Sequence, residues 1–540
     1  MSNLIAPSKS LGYSNIFLDF LADASPARHF YPSESIVDVA AGLDAVEYRR
    51  EEICRILTAQ NRLYGASQQT LDNIERLKRR SSVCLFAGQQ AGLFGGPLLV
   101  VYKALALVKA ARLYETELNR PVIPVFWIAG DDHDFDEVNH MWVIDRASEL
   151  TRVSYDARPS IELPTSEIEF SDSTELEKAK EHLRNALGQT DFTNDLYGLI
   201  DEAYTENDTF VTAFGKLMAS LTSDLGLVFF SPGDAEAKQL AVDLFISMID
   251  NEEDLQHRLD STNDEIKSHG YHLQVEKSAE ASHLFYNLDG RKPVVRHGDK
   301  YLVGEKSLSR AELIDCIRNC PERFSPDVMV RPVLQSFLFP VISQKGGAAE
   351  IAYLAQIGRI FELFGRVTPY YRARPSLTIV ERRFEKLMAE FDIGFEEVAG
   401  DIEQVVNRVL SKSFPDDIER QFNEFREHLR ERFGQLNSTS LKFDPGLKKL
   451  AEQTMGKIDF AVKGFEGKVF SSHKKKSQET RDRIYRLWHA LYPNRNFQER
   501  SLNITYFLSR YGRGFVNFLY EKMDSEQKAH QLVNLSEYGE

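Results

Sequence analysis

Gly88, Gly92, Gly95 and Gly96 follow directly on a short apolar run, residues 83–87, and are followed by Pro97. The run reads as a buried strand. The glycines break it, and Pro97 suits the first turn of a helix. Residues 98–113 are then apolar on nearly every side, with Lys103, Lys109 and Arg112 the only charges, as in a helix packed between a sheet and other elements. Strand, glycine-rich loop and helix make a unit in which backbone N–H groups can approach an anion at a helix N-terminus. The next apolar run, residues 122–129, ends in Gly130, Asp131, Asp132, His133, Asp134, Asp136, Glu137 and His140. Two strands around one helix, each with a polar cluster at its C-terminal end, match the ligand-binding edge of an open α/β sheet.

The same logic recurs. Residues 337–343 read as a strand, Gly346 and Gly347 as its end, and a helix follows from about Ala348. Residues 367–371 read as the next strand, with Arg372 and Arg374 just past it. A short strand at 227–230 ends in Ser231, Pro232, Gly233 and Asp234. Alternation of strands and helices over 83–376 predicts an α/β fold: a doubly wound, mostly parallel sheet interrupted by insertions. Residues 36–78 read as helical with a break at 61–65, and 237–264 as helical. Residues 271–277, 283–289 and 300–303 have β character, suggesting a small β insertion.

From about Glu381 the period changes. Phe395, Val398, Ile402, Val405 and Val409 recur at spacings of three and four, as do Ile418, Phe422, Phe425, Leu429, Phe433 and Leu436. A third set holds Leu447, Ala451, Ile458, Ala461, Phe465 and Val469. This pattern predicts long helices pairing as a coiled coil over 381–492; an intrachain helical hairpin alone explains the stripes, and a protruding one with apolar surface left over also makes a homodimer, which is the expectation. The last helix, run unbroken from 446 to 491, would span roughly 70 Å. Gly456, Gly464 and Gly467 each cost it about 1 kcal/mol relative to alanine. After Pro493 aromatic and apolar residues return, so 493–540 is expected to rejoin the core of residues 1–380. The tail beyond Asp524 is expected to fray.

Composition narrows the function classes. A net charge of −15 argues against sequence-independent nucleic-acid binding, which needs clustered Lys and Arg. Four cysteines in 540 residues fit a reduced, cytoplasmic protein. Residues 1–12 lack the pattern of a signal peptide, and no run of about 18 apolar residues suggests a membrane span.

No Walker A sequence occurs, and the glycines of 88–96 do not have the spacing of the dinucleotide fingerprint. The loop is either a general anion or nucleotide cradle, with Gly88, Gly95 and Gly96 supplying backbone and the Gln89 and Gln90 amides able to donate and accept, or a tight strand-to-helix turn whose glycines are needed for packing. Asp131, Asp132, His133, Asp134 and Asp136 cannot all be buried cheaply, so they meet solvent, a ligand, a cation or one another. His133 can serve as a base, its ordinary pKa lying near working pH. Asp132 or Asp134 can orient it or hold Mg²⁺ on a nucleotide. Zinc is a weaker reading, because His133 and His140 fit no standard spacing. Glu350 falls in the first turn of a proposed helix, where it complements the dipole or meets a ligand. Arg372 and Arg374 can bind carboxylate or phosphate bidentately.

The stretches GQQAGLFGGPL, PVFWIAGDDHDFDEVNH, RPVLQSFLFP with the later EIAY, and FQERSLNITYFLSRYG resemble the cysteine ligases of bacillithiol biosynthesis, the BshC family. The resemblance runs from the first quarter of the chain to its end. It implies a Rossmann-like core similar to class I nucleotidyltransferases, with connecting insertions placed at about 155–225 and 265–330, and a coiled coil that mediates dimerisation. The implied activity is addition of cysteine to the glucosamine amine of glucosaminyl-malate. Joined to the residue reading, it makes His133, Asp132 and Asp134 the expected catalytic group. Gly88, Gln89, Gln90, Gly95, Gly96, Asp131, Asp136, Glu350, Tyr353, Arg372 and Arg374 are then the expected binding residues, with ATP and Mg²⁺ as activator. The family's acidic motif often begins Gly-Glu-Asp-His-Asp, where this chain has Asp131 in second place. Its second loop is often Gly-Pro-Gly-Glu, where this chain has Gly347, Ala348, Ala349 and Glu350. Two other classes stay open: a nucleotide-binding scaffold for a partner enzyme, and a metal-dependent hydrolase using the Asp/His cluster.

Overall fold

The structure, a computed structural model, describes residues 3–277, 280–412 and 416–538. The chain divides into two compact units, Met1–Val380 with Pro493–Glu540, and Glu381–Tyr492.

The first unit is built on a five-stranded parallel sheet. Its strands are β1 (Val83–Gln89), β2 (Val122–Ile128), β3 (Val228–Phe230), β4 (Val341–Gly346) and β5 (Tyr370–Ala373), in the order β5-β4-β1-β2-β3. Every residue of β2 is buried, as expected for a parallel strand covered on both faces. Alternation divides the side chains: Cys84, Phe86, Ile123, Val125, Trp127, Val228 and Phe230 join one core cluster. Phe126 turns to the opposite face, its ring 6.2 Å from that of Phe214. Helices α1 (Arg50–Leu63), α2 (Leu99–Leu118), α3 (Arg331–Leu338) and α4 (Ala348–Ile357) belong to the same unit, and α2 packs on both β1 and β2. The strand order reverses between β1 and β4. There the connection from β1 leaves to one side and the chain later returns on the other, opening a crevice beyond the strand ends.

Several local expectations are corrected. Residues 337–343 are not a strand: the chain is helical over α3, and the strand begins at Val341. Pro332 sits in the first turn of α3 and favours its start, and a short apolar run cannot by period alone be told from a buried helix. β5 starts at Tyr370, so Arg372 lies within the strand, paired with Lys345 of β4. The helical stretch 36–78 breaks at two places, between Ile36–Leu43 and α1 and between α1 and Gln68–Leu77. No strand forms at 271–277. The β insertion is a five-stranded antiparallel sheet of Ala281–Asn287, Arg291–His297, Lys300–Val303, Lys306–Ser309 and Phe324–Pro326. The tail does not fray throughout: β7 (His530–Asn534) lies between Leu4–Ile5 and β6 (Ser376–Val380), because its backbone groups find partners on both sides.

The second unit is helical among its described residues. Asp416–Phe443 and Lys448–Lys476 form an antiparallel pair, tied by Arg426 to Glu466 at 2.8 Å and by Phe422 against Phe465 at 5.6 Å. Lys448–Lys476 is continuous through Gly456, Gly464 and Gly467. The interruption falls instead at Ser477, before Gln478–Leu491. Glu403 of Ile402–Lys412 binds Lys474, Arg481 and Tyr485 together.

Candidate active site

A cavity of about 420 Å³ occupies the crevice at the ends of β1 and β4. Ala87, Gly88, Gln89 and Gln90 line it from β1, and Gln344, Lys345, Gly346 and Gly347 from β4. Glu350 and Tyr353 come from the first turns of α4, Arg331 and Gln335 from α3, and Lys103 from α2. Arg374 follows β5, Asp132 and Glu137 follow β2, and Arg500 comes from the returning C-terminal segment.

Lys103 organises the floor. Its buried Nζ donates to Gly88 O at 2.7 Å and Gln89 Oε1 at 2.8 Å, and pairs with Glu350 Oε2 at 2.7 Å. Burial pulls the ammonium's pKa down, against the opposing effect of Glu350. Burial would raise the Glu350 carboxyl, but Lys103 and the Gly347 N–H, 2.8 Å away, bring it net below its usual value. Gly88 is required by close packing: a Cβ there would lie 2.7 Å from Trp127 O. Arg331 donates to Tyr353 OH at 3.0 Å, and burial pushes that phenol's pKa up. Arg374 donates to Glu499 Oε1 at 2.7 Å and Pro375 O at 2.9 Å, while its buried Nε has no acceptor among the described residues. Lys345 is held by Glu526 at 2.7 Å and Ser525 O at 2.8 Å. Arg331 and Arg500 form no ion pair among the described residues.

The acidic motif is divided among different tasks. Asp132 reaches the cavity, accepting from Gln90 Nε2 at 2.8 Å and from its neighbour's backbone, His133 N, at 2.8 Å. Glu137 also accepts from Gln90. Asp131 is turned away onto buried Lys238, at 2.7 and 2.8 Å. Asp134 is exposed and caps the one-turn helix Phe135–Val138 through Glu137 N at 3.3 Å, so it does not orient His133. Asp136 is exposed and pairs with Arg158. His133 lies beside Asp132, outside the cavity lining, with Nδ1 3.2 Å from Arg291 Nη1. Among the described residues no group of three or more His, Cys, Asp and Glu side chains is placed to hold a metal ion.

The glycine loop is not a cradle along its whole length. Gly95 and Gly96 have φ of +91° and +68°, conformations that favour glycine, and neither lines the cavity. Gly95 N donates to Tyr204 OH at 3.1 Å, and Gly96 O accepts from Asn503 at 2.6 Å. The start of α2 is covered too, Leu98 N donating to Leu502 O at 2.8 Å. Arg372 stands on Glu526 at 3.3 Å, outside the lining. Thus the fold gathers Gly88, Gln89, Gln90, Asp132, Glu350, Tyr353 and Arg374, and leaves out Gly95, Gly96, Asp131, His133, Asp134, Asp136 and Arg372. Lys103, Arg331, Gln335, Gln344, Lys345 and Arg500 also line the cavity without having been assigned to a site by sequence, and Glu137, which also lines it, was named only as part of the acidic run. A lysine inside the otherwise apolar face of α2 was the one local sign.

Comparison with known proteins gives a consistent assignment. The family model described as "Bacillithiol biosynthesis BshC, N-terminal Rossmann-like domain" matches residues 2–375, and that described as "Bacillithiol biosynthesis BshC, C-terminal coiled-coil domain" matches 377–535. The chain is similar to a protein of Koribacter versatilis named "Putative cysteine ligase BshC", 32% identical over 94% of each chain. Relatives of the same name from Bacillus cytotoxicus and Salinibacter ruber are 30% and 28% identical, over 91% and 98% of each chain.

Proposed function

The chain belongs to the BshC family of bacillithiol biosynthesis, and from that premise we propose that it is a cysteine ligase joining the carboxyl carbon of L-cysteine to the glucosamine amine of glucosaminyl-malate. The observation that carries the reading is the cavity at the β1/β4 reversal, where Arg331 and Arg500 form no ion pair among the described residues, Glu350 and Asp132 acting on Arg331 only from beyond bonding distance, and where Asp132 faces the same space. Arg331 and Arg500 would hold the malate carboxylates, a role that Arg372, paired outside the lining, does not suit. Asp132 would accept the proton that the amine loses on forming the C–N bond.

ATP with Mg²⁺, when bound, would supply the activation that a free carboxylate needs before an amine can displace one of its oxygens. The lining suits such a polyanion, since Arg374 Nε is buried there with no acceptor among the described residues. Lys103 and Glu350 would keep the floor rigid while Gln89 and Gln90 present their amides. The same proposal places the protein in the cytoplasm, acting as a homodimer through its coiled coil. No helix among the described residues is long and apolar enough to cross a membrane.

The test is a product assay. Purified protein is incubated with glucosaminyl-malate, cysteine, ATP and Mg²⁺ and the mixture is analysed by mass spectrometry. The expected product is the cysteinyl amide, with ADP or AMP formed in equal amount. Absence of product with every nucleoside triphosphate, from protein that still binds glucosaminyl-malate, would overturn the ligase reading and favour a scaffold.

A further inference from the structure

His133 entered as a candidate base, but its surroundings give it a different chemistry. Arg291, the first residue of Arg291–His297 in the β insertion, is buried, with its guanidinium 3.6 Å from the centre of the Phe285 ring. Its Nε donates to Ser325 Oγ at 3.1 Å and its Nη2 to Pro326 O at 3.4 Å. Its Nη1 lies 3.2 Å from His133 Nδ1. A guanidinium has five N–H donors and no acceptor, so His133 Nδ1 must be the lone-pair side of that contact. A neutral imidazole with a lone pair on Nδ1 carries its proton on Nε2. The nearest carboxylate, Asp132 Oδ1, is 3.8 Å from Nδ1 and is already occupied by the backbone N–H of His133.

We infer that Arg291 is a positioning residue that locks His133 as the neutral Nε2–H tautomer, making it a hydrogen-bond donor to negative charge and not a base. The inference rests on the ligase reading for what the donor acts on. As the amine nitrogen bonds to the activated acyl carbon, the electron pair of the C=O bond moves onto oxygen. His133 lies outside the lining, next to Asp132, so its Nε2–H would stabilise that charge on a substrate that extends past Asp132. The pair returns as the bond to the phosphorylated leaving oxygen breaks, and the amine proton passes to the Asp132 carboxylate. Aspartate then holds the one proton-accepting side chain of the pair, and histidine the electrophilic one.

The tautomer is read directly by ¹⁵N NMR of histidine-labelled full-length protein, with His133→Gln used for assignment. The expected spectrum at neutral pH has a pyridine-like Nδ1 and a protonated Nε2. In Arg291→Met the ring is expected to become a tautomer mixture, and in Arg291→Lys, which retains a donor, to return towards the Nε2–H form. A protonated Nδ1 in the parent protein, or an unchanged tautomer in Arg291→Met, would overturn the inference. This readout needs no turnover, so it stands apart from the fate of the ligase reading. In the product assay His133→Gln retains an N–H donor but cannot be a base. It is expected within ~10-fold of the parent, whereas His133→Ala falls ~100-fold. Equal loss in both variants would return His133 to the role of base.

Discussion

Lys103 and Glu350 meet at 2.7 Å in the cavity floor, and the pair is worth most when seen from one partner's removal. Lys103→Met leaves a half-buried carboxylate without its cation and is expected to cost about 1–3 kcal/mol, while Lys103→Met with Glu350→Leu restores much of it. Urea denaturation of both variants checks this. Asp132 and Asp134, two positions apart, are expected to differ in kind. Asp132→Asn should lower product formation by ~100-fold with an unchanged denaturation midpoint. Asp134→Ala should cost about 1 kcal/mol of stability through the lost cap, with a far smaller effect on rate. His530 supplies a pH signature. It is buried in β7, bonded to Ser376 and Thr378, and burial pushes its pKa down from 6.5 to about 4, against the opposing pull of Glu499. The unfolded chain therefore takes up this proton first as pH falls. The contribution of His530 is present above about pH 6.5 and is lost towards pH 4, up to ~3 kcal/mol. Stability against pH should flatten over that window in His530→Gln.

At the scale of elements, the glycine loop is shaped by a segment more than four hundred positions further on. Asn503 donates to Phe94 O at 3.0 Å and Gly96 O at 2.6 Å, and its Oδ1 caps Ile504–Tyr511 through Thr505 N at 2.8 Å. One side chain thus fixes the turn out of β1 and starts a helix of the C-terminal segment. Asn503→Ala removes the cap and leaves two buried carbonyls without that donor. It is expected to cost about 2–4 kcal/mol by denaturant titration. The loop's glycines were visible in the sequence, and so was the helix after them. Their use was not: an anion cradle and a tight packed turn ask for the same residues, and the choice between them was made by Asn503 and Tyr204.

Across the whole molecule, the helical unit exposes Phe425, Leu436, Phe443, Leu450, Phe460 and Phe465 along its long antiparallel pair. Apolar residues at helical spacing, left exposed after the hairpin has formed, suit pairing with a second copy. Sedimentation velocity is expected to give a dimer of the 61.7 kDa chain, and Leu436→Glu with Phe460→Glu a monomer of unchanged helicity. A monomeric parent protein would refute pairing through these residues.

The sequence by itself determined the strand–loop–helix–strand unit of β1, α2 and β2 and the change of period near Glu381. Strand alternation, helical stripes and Gly/Pro punctuation are short-range properties, settled within a few residues. It also marked Gln89, Asp132 and Glu350 as polar groups at strand or helix ends. Only the tertiary structure decided which charges meet. Lys103 finds Glu350, Arg374 finds Glu499, and Arg291 finds His133 across separations of more than a hundred residues. Partners of this kind are set by the reversal of strand order between β1 and β4, by the β insertion and by the return of the C-terminal segment. No local pattern encodes where those pieces of chain come together.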